Sequence, residues 1–179
     1  MDLVMQFNAM ARYNTWMNRR IYEICAALSD EERKRDLRAF FGSIHRTLNH
    51  LLLTDRVQLG RFIGKDRTQT FDHGGKAITI NSLDQELYAN FDLLRREREK
   101  TDAMVEAWTN EIAAEFLATE MVYDAMSAAG RYRVPMWIAV ASFFNHQTHH
   151  RGQITTLLSQ LGRDPGVTDL MALYRVGVP

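Results

Sequence analysis

Asn145-His146-Gln147-Thr148-His149-His150-Arg151-Gly152-Gln153 is the part of the chain that says most about its architecture. His146 and His150 are four residues apart, in a segment with helical spacing on both sides. Four residues of α-helix turn about 40° past a full revolution and rise about 6 Å, so both imidazoles project the same way. They fill a gap in an apolar stripe formed by Ala139 and Phe143 before them and Ile154, Leu157 and Leu161 after them. The pair therefore faces a core, where unpaired polar groups are costly. Spacing alone leaves two readings open. The pair can be core histidines bonded to each other or to backbone, or two ligands of a divalent metal whose third ligand lies elsewhere.

Working outward, the same periodicity predicts a last long helix that starts at Pro135, runs to Leu161 and stops at Gly162. Residues 3–28 read as a first helix, with Phe7, Met10, Ala11, Ile21, Cys25 and Leu28 on one face and Asn14 and Asn18 among them. Ser29-Asp30-Glu31-Glu32 is a capping box that opens a short exposed turn. Residues 43–63 read as a second long helix, apolar on two sides. His50 projects with Leu53 and Val57, and Asp55 lies within the main stripe, where it calls for an Arg or His from another helix. Residues 64–81 read as a loop over one end of a bundle. A second capping box, Ser82-Leu83-Asp84-Gln85, predicts a third long helix to about residue 112. Between Phe116 and Val134 two β-prone pieces, Met121-Val122-Tyr123 and Tyr132-Arg133-Val134, predict a hairpin. Asp169 to Tyr174 reads as one last docked turn. The expected fold is all-α: an antiparallel four-helix bundle with a short hairpin or irregular insert before its last helix.

Bulk properties narrow the function. A chain of 179 residues fits a single domain, residues 1–179, with a substantial core. Twenty-two basic and 22 acidic residues cancel, so no long-range field recruits nucleic acid or a membrane surface. Arg95-Arg96-Glu97-Arg98-Glu99-Lys100 alternates in sign and reads as a solvated helix face. No apolar run is long enough to span a bilayer. The N-terminus lacks the pattern of a secretory signal. The single Cys25 forms no internal disulfide, and a cytoplasmic location is expected. On the core face of the first helix, Cys25 reads as an inert buried thiol.

A bundle builds metal sites from side chains on facing helices. His50 is the best third ligand for His146 and His150, although taken alone it also reads as a partly buried helix histidine. Three imidazoles with open positions make a catalytic type of centre, since a structural site is closed by four protein ligands. Imidazoles suit zinc, nickel, iron or copper. His149 lies off the stripe, either exposed or supporting the site through Asp55. His45 and His73 read as surface residues. The metallopeptidase pattern His-Glu-x-x-His is broken by Gln147, and neither a nucleotide-binding loop nor a paired Glu-x-x-His motif occurs.

Three segments together resemble the DinB family of four-helix metal-binding proteins. They are Tyr13-Asn14-Thr15-Trp16; Ser43-Ile44-His45-Arg46-Thr47-Leu48-Asn49-His50-Leu51-Leu52 with Asp55-Arg56; and Asn145 to Gln153. The resemblance runs from about residue 5 to 173. It implies one divalent metal, zinc or nickel first and iron next, held by His50, His146 and His150. It also implies a homodimer. Characterised relatives in the wider superfamily are metal-dependent transferases or isomerases that use thiols such as glutathione, mycothiol and bacillithiol. The expectation is an enzyme transferring a small thiol to an electrophilic small molecule. A metal-dependent hydrolase, or a non-catalytic metal-binding or stress-response protein, are the alternatives. Tyr13, Asn14 and Asp55 are candidates for the acid or base.

Overall fold

The computed structural model describes residues 3–64, 69–71, 77–124 and 130–175. Four long helices carry the fold: α1 (Leu3–Ala26), α3 (Ile44–Phe62), α4 (Phe91–Glu111) and α6 (Met136–Gln160). Short helices α2 (Asp30–Lys34), α5 (Ala114–Leu117) and α7 (Leu170–Tyr174) punctuate them, with two-stranded ladders β1 (Gln69–Phe71) with β2 (Ala77–Thr79), and β3 (Glu120–Asp124) with β4 (Arg131–Pro135). The helical bundle and the hairpin before its last helix are as the sequence predicts. No described helix is long and apolar enough to cross a membrane.

Local chemistry sets the ends. The Ser43 hydroxyl accepts from Arg46 N and caps α3, and Asn90 does the same for α4 through Leu93 N. Gly162, at φ +72°, ends α6 as Arg163 N reaches Leu158 O and Gly162 N reaches Ser159 O. That pair of bonds satisfies the last free carbonyls of the helix.

Contacting side chains give the sense of each neighbour. Tyr22 stacks on Phe91 while Asn18 meets Asp102, so α1 and α4 are antiparallel. His50 lies against His150, and Phe62 against Phe143, so α3 and α6 are antiparallel too. Phe7 with Phe144 and Asn14 with Arg151 make α1 and α6 parallel. Asp55 with Arg98 and Phe62 with Trp108 make α3 and α4 parallel. Two parallel helices that follow one another need a connection that returns the full length of the bundle.

That requirement bears on the described residues between α3 and α4. The sequence suggests a loop over one end and a helix from Ser82. Part of the loop, residues 65–68 and 72–76, lies outside the described residues; β1 and β2 pair antiparallel, and the residues after β2 lie along the flank of α3, packing Ile80 and Leu83 against Leu53 and Val57. Asn49 grips it further on: its Oδ1 accepts from Leu87 N and Tyr88 N, and its Nδ2 donates to Tyr88 O. Backbone donors committed to Asn49 are withdrawn from the i→i−4 ladder that a helix running on from Ser82 would need, and α4 starts at Phe91. His73 lies outside the described residues.

The core has two apolar halves. One gathers Ile21, Cys25, Leu48, Leu52, Leu94 and Leu158; the other gathers Phe7, Leu59, Val105, Val140 and Phe143. Between them every long helix gives up a buried polar residue: Asn14 and Asn18, Asp55, Arg98 and Asp102, Gln147 and Arg151. Arg98 pairs with Asp55 at 2.5 Å and with Asp102 at 2.8 Å. Asp102 also accepts from Asn14 and Asn18, and Arg151 donates to Asn14. The expected solvated face is thus wrong at Glu97 and Arg98, which are 1% and 2% exposed. Alternating sign hides an inward arginine when a partner such as Asp55 lies on another helix.

Candidate metal centre

The seam between α3 and α6 brings together His50, His146 and His150. One ring nitrogen from each lies within 4.8 Å of the others. His146 and His150 approach Nε2 to Nε2 at 3.0 Å. Nitrogens about 2.0–2.1 Å from one tetrahedral ion lie about 3.3 Å apart, so this convergence fits a single cation. Two bare nitrogens this close repel unless a proton or a cation lies between them.

Each of two rings is oriented from behind. His50 Nδ1 is 2.6 Å from Leu83 O, and a carbonyl can only accept, so the proton of His50 is on Nδ1 and Nε2 carries the lone pair. His150 Nδ1 is 2.8 Å from Gln153 Oε1. Phe41 stacks on His50 at 4.0 Å and covers one side of the cluster. Burial first, and then the neighbouring imidazoles, depress His146 to about 3. Burial also depresses His150 to about 4, partly offset by Gln153. His50 is lowered by burial as well. All three are therefore neutral at pH 7, the form that ligates a metal. Among the described residues the cluster holds three histidines and no carboxylate or thiol, which leaves coordination positions for a small molecule.

A cavity of about 230 Å³ adjoins the cluster. Its lining includes His146, Thr54, Asp55, Gln58, Arg61, Ser142 and Phe143. Arg61 is held by Gln58 and lies over the Tyr123 ring. The opening is small-molecule in scale.

The remaining predicted residues sort clearly. Asp55 finds the arginine its position calls for, Arg98, and also lines the cavity. Burial raises its pKa, against the pull of Arg98. His149 does not pair with Asp55. It is exposed and meets Gln153 Nε2 at 3.2 Å, because it points away from the α3 seam. His45 is not a surface residue: it is fully buried, with Nε2 2.9 Å from Tyr88 O, since the returning segment covers it. Tyr13 donates to Thr168 O, and Asn14 is committed to Asp102 and Arg151, so both belong to packing. Cys25 is buried, which pushes its thiol up to about 12 and makes it inert. Sequence reasoning missed Leu83, Gln153 and Phe41. Only Gln153 left a signal, being three residues after His150 and so on its face.

Fold and site together define a four-helix-bundle protein with a three-histidine centre on one seam. The DinB family model matches residues 4–176, and the chain belongs to the DinB family. No curated protein matches the sequence. Among solved structures, a DinB-like protein from Bacillus cereus ATCC 10987 is similar at 23% identity and a TM-score of 0.58, covering 86% of this chain and 91% of that one. YfiT from Bacillus subtilis is similar at 11% identity and a TM-score of 0.63, covering 89% of this chain and 90% of its own. YfiT is described as a probable metal-dependent hydrolase with an unusual four-helix bundle topology.

Proposed function

We propose that this protein is a metal-dependent enzyme acting on a small molecule, with His50, His146 and His150 holding one divalent cation. The observation that carries the reading is the convergence of three neutral imidazoles beside a cavity. Three neutral ligands leave the charge of the cation uncompensated, and a cation so held lowers the pKa of a coordinated thiol or water, giving a nucleophile at neutral pH. The chain's own residues do the rest. Leu83 O and Gln153 aim the rings, Phe41 shields one side, and the cavity beside His146 confines the electrophile.

The favoured reaction is transfer of a low-molecular-weight thiol to an electrophile, in line with the thiol-using relatives that the family resemblance implies. Hydrolysis is the second reading, supported by the likeness to YfiT. Zinc or nickel suits the imidazole set first, and iron next. The protein is proposed to work in the cytoplasm as a homodimer.

The test compares metal-loaded and metal-stripped protein on two panels. One offers glutathione-type thiols with epoxides and halogenated aromatics; the other offers esters and amides in water alone. Metal-dependent turnover only with thiol supports transfer, and turnover without thiol supports hydrolysis. His150→Ala should lose most of the metal and any such turnover while keeping its helical circular dichroism. Bound metal with no turnover on either panel would sink the enzyme reading.

A further inference from the structure

We propose that Gln153, itself held by His149, is the positioning residue that makes His150 a ligand. The inference rests on the metal-binding reading above. Gln153 follows His149 by four residues and His150 by three, so on α6 one side chain reaches both rings. Its two ends are chemically distinct. Oε1 only accepts, and it lies 2.8 Å from His150 Nδ1. Nε2 only donates, and it lies 3.2 Å from His149 Nε2. The proton of His150 is therefore fixed on Nδ1, and the lone pair on Nε2 faces His146 and His50.

The orientation of the amide is what matters. Turned over, it would present N–H to His150 Nδ1 and force the ring proton onto Nε2, the nitrogen that must ligate. With its own proton on Nδ1, His149 accepts from the donor end at Nε2 and in that tautomer opposes the turn. On the other wall the backbone carbonyl of Leu83 does the same for His50, but a carbonyl cannot turn over. Gln153 is thus the adjustable member of the outer set, and His149, though no ligand, acquires a task.

The experiment has two readouts. Long-range proton–nitrogen NMR on metal-free, histidine-labelled protein reports the tautomer of His150. Chelator competition reports zinc affinity. Wild type should show the Nδ1–H form. Gln153→Leu should populate Nε2–H and lose about 10–100-fold in zinc affinity, with unchanged helical content. Gln153→Glu, which keeps an acceptor and cannot donate, should retain the wild-type tautomer and affinity. His149→Leu should lose less than Gln153→Leu. An Nε2–H form in wild type, wild-type affinity in Gln153→Leu, or equal losses in the Leu and Glu variants would each overturn the proposal. If wild type takes up no zinc, the metal reading fails by itself, and the tautomer still decides the role of Gln153.

Discussion

The charge state of His146 and His150 governs what this site does with pH. Both are depressed well below the ordinary value of 6.5, to about 3 and about 4, by burial and by neighbouring imidazoles, with Gln153 opposing the shift at His150. A depressed group stabilises the fold above its unfolded value, and that contribution is lost as pH falls toward the folded value. The thermal midpoint of metal-free protein should therefore drop as pH is lowered from 6.5 to about 4. His146→Phe should flatten that drop, and an unchanged profile in the variant would refute the assignment. His146 and His150 were legible in sequence because imidazoles at i, i+4 on an apolar stripe are costly to bury without a shared partner, whereas His50 stood out chiefly through the family resemblance. The tasks of Leu83 O and Phe41 were not, since a backbone carbonyl has no sequence signal and a loop aromatic resembles any other.

At the scale of elements, the crossover from α3 to α4 is the part that sequence read least well. Ser82-Leu83-Asp84-Gln85 has the residues of a capping box and an apolar rhythm after it. Those apolar residues serve the flank of α3, and Asn49 captures the backbone before a helix can start. Local signals cannot reveal a competitor 38 residues away. Asn49→Ala leaves two backbone donors without their acceptor, at a cost of about 1–3 kcal/mol each when the group stays buried. Leu87 N is only partly buried and can regain water, so urea unfolding should show a loss of about 2–4 kcal/mol. Because the same segment carries Leu83 O to His50, zinc affinity should fall with it. Stability lost with affinity intact would mean the segment does not help to aim His50. The existence of the four long helices was readable, because each keeps its apolar period for several turns, but the start of α4 was not.

Across the whole molecule, the polar layer ties all four long helices together at about the level of the metal centre. Asn14, Asn18 and Asp55 announced it in sequence as polar residues on apolar faces, but their partners Arg98, Asp102 and Arg151 did not. Arg98 is the shared member of the layer, paired with both Asp55 and Asp102. Burial raises Asp102 to about 6 even with Arg98 and Asn18 opposing it. Breaking a buried ion pair costs about 3–5 kcal/mol, so Arg98→Met should lose about that much at pH 8. The sign with pH is opposite to that of the histidines. Without Arg98 the carboxylates rise further, so the loss should shrink as pH falls and they take up protons. A pH-independent loss would show that the layer acts by packing alone.

The proposed activity requires His50, His146 and His150 to share one divalent cation and to leave part of its coordination free. X-ray absorption on the zinc-loaded protein reads this directly. The expected result is one zinc per chain, three imidazole nitrogens at about 2.0–2.1 Å, and a further light atom not supplied by the protein. A shell with fewer than three imidazoles, a shell closed by a fourth protein ligand, or no stoichiometric zinc would contradict it.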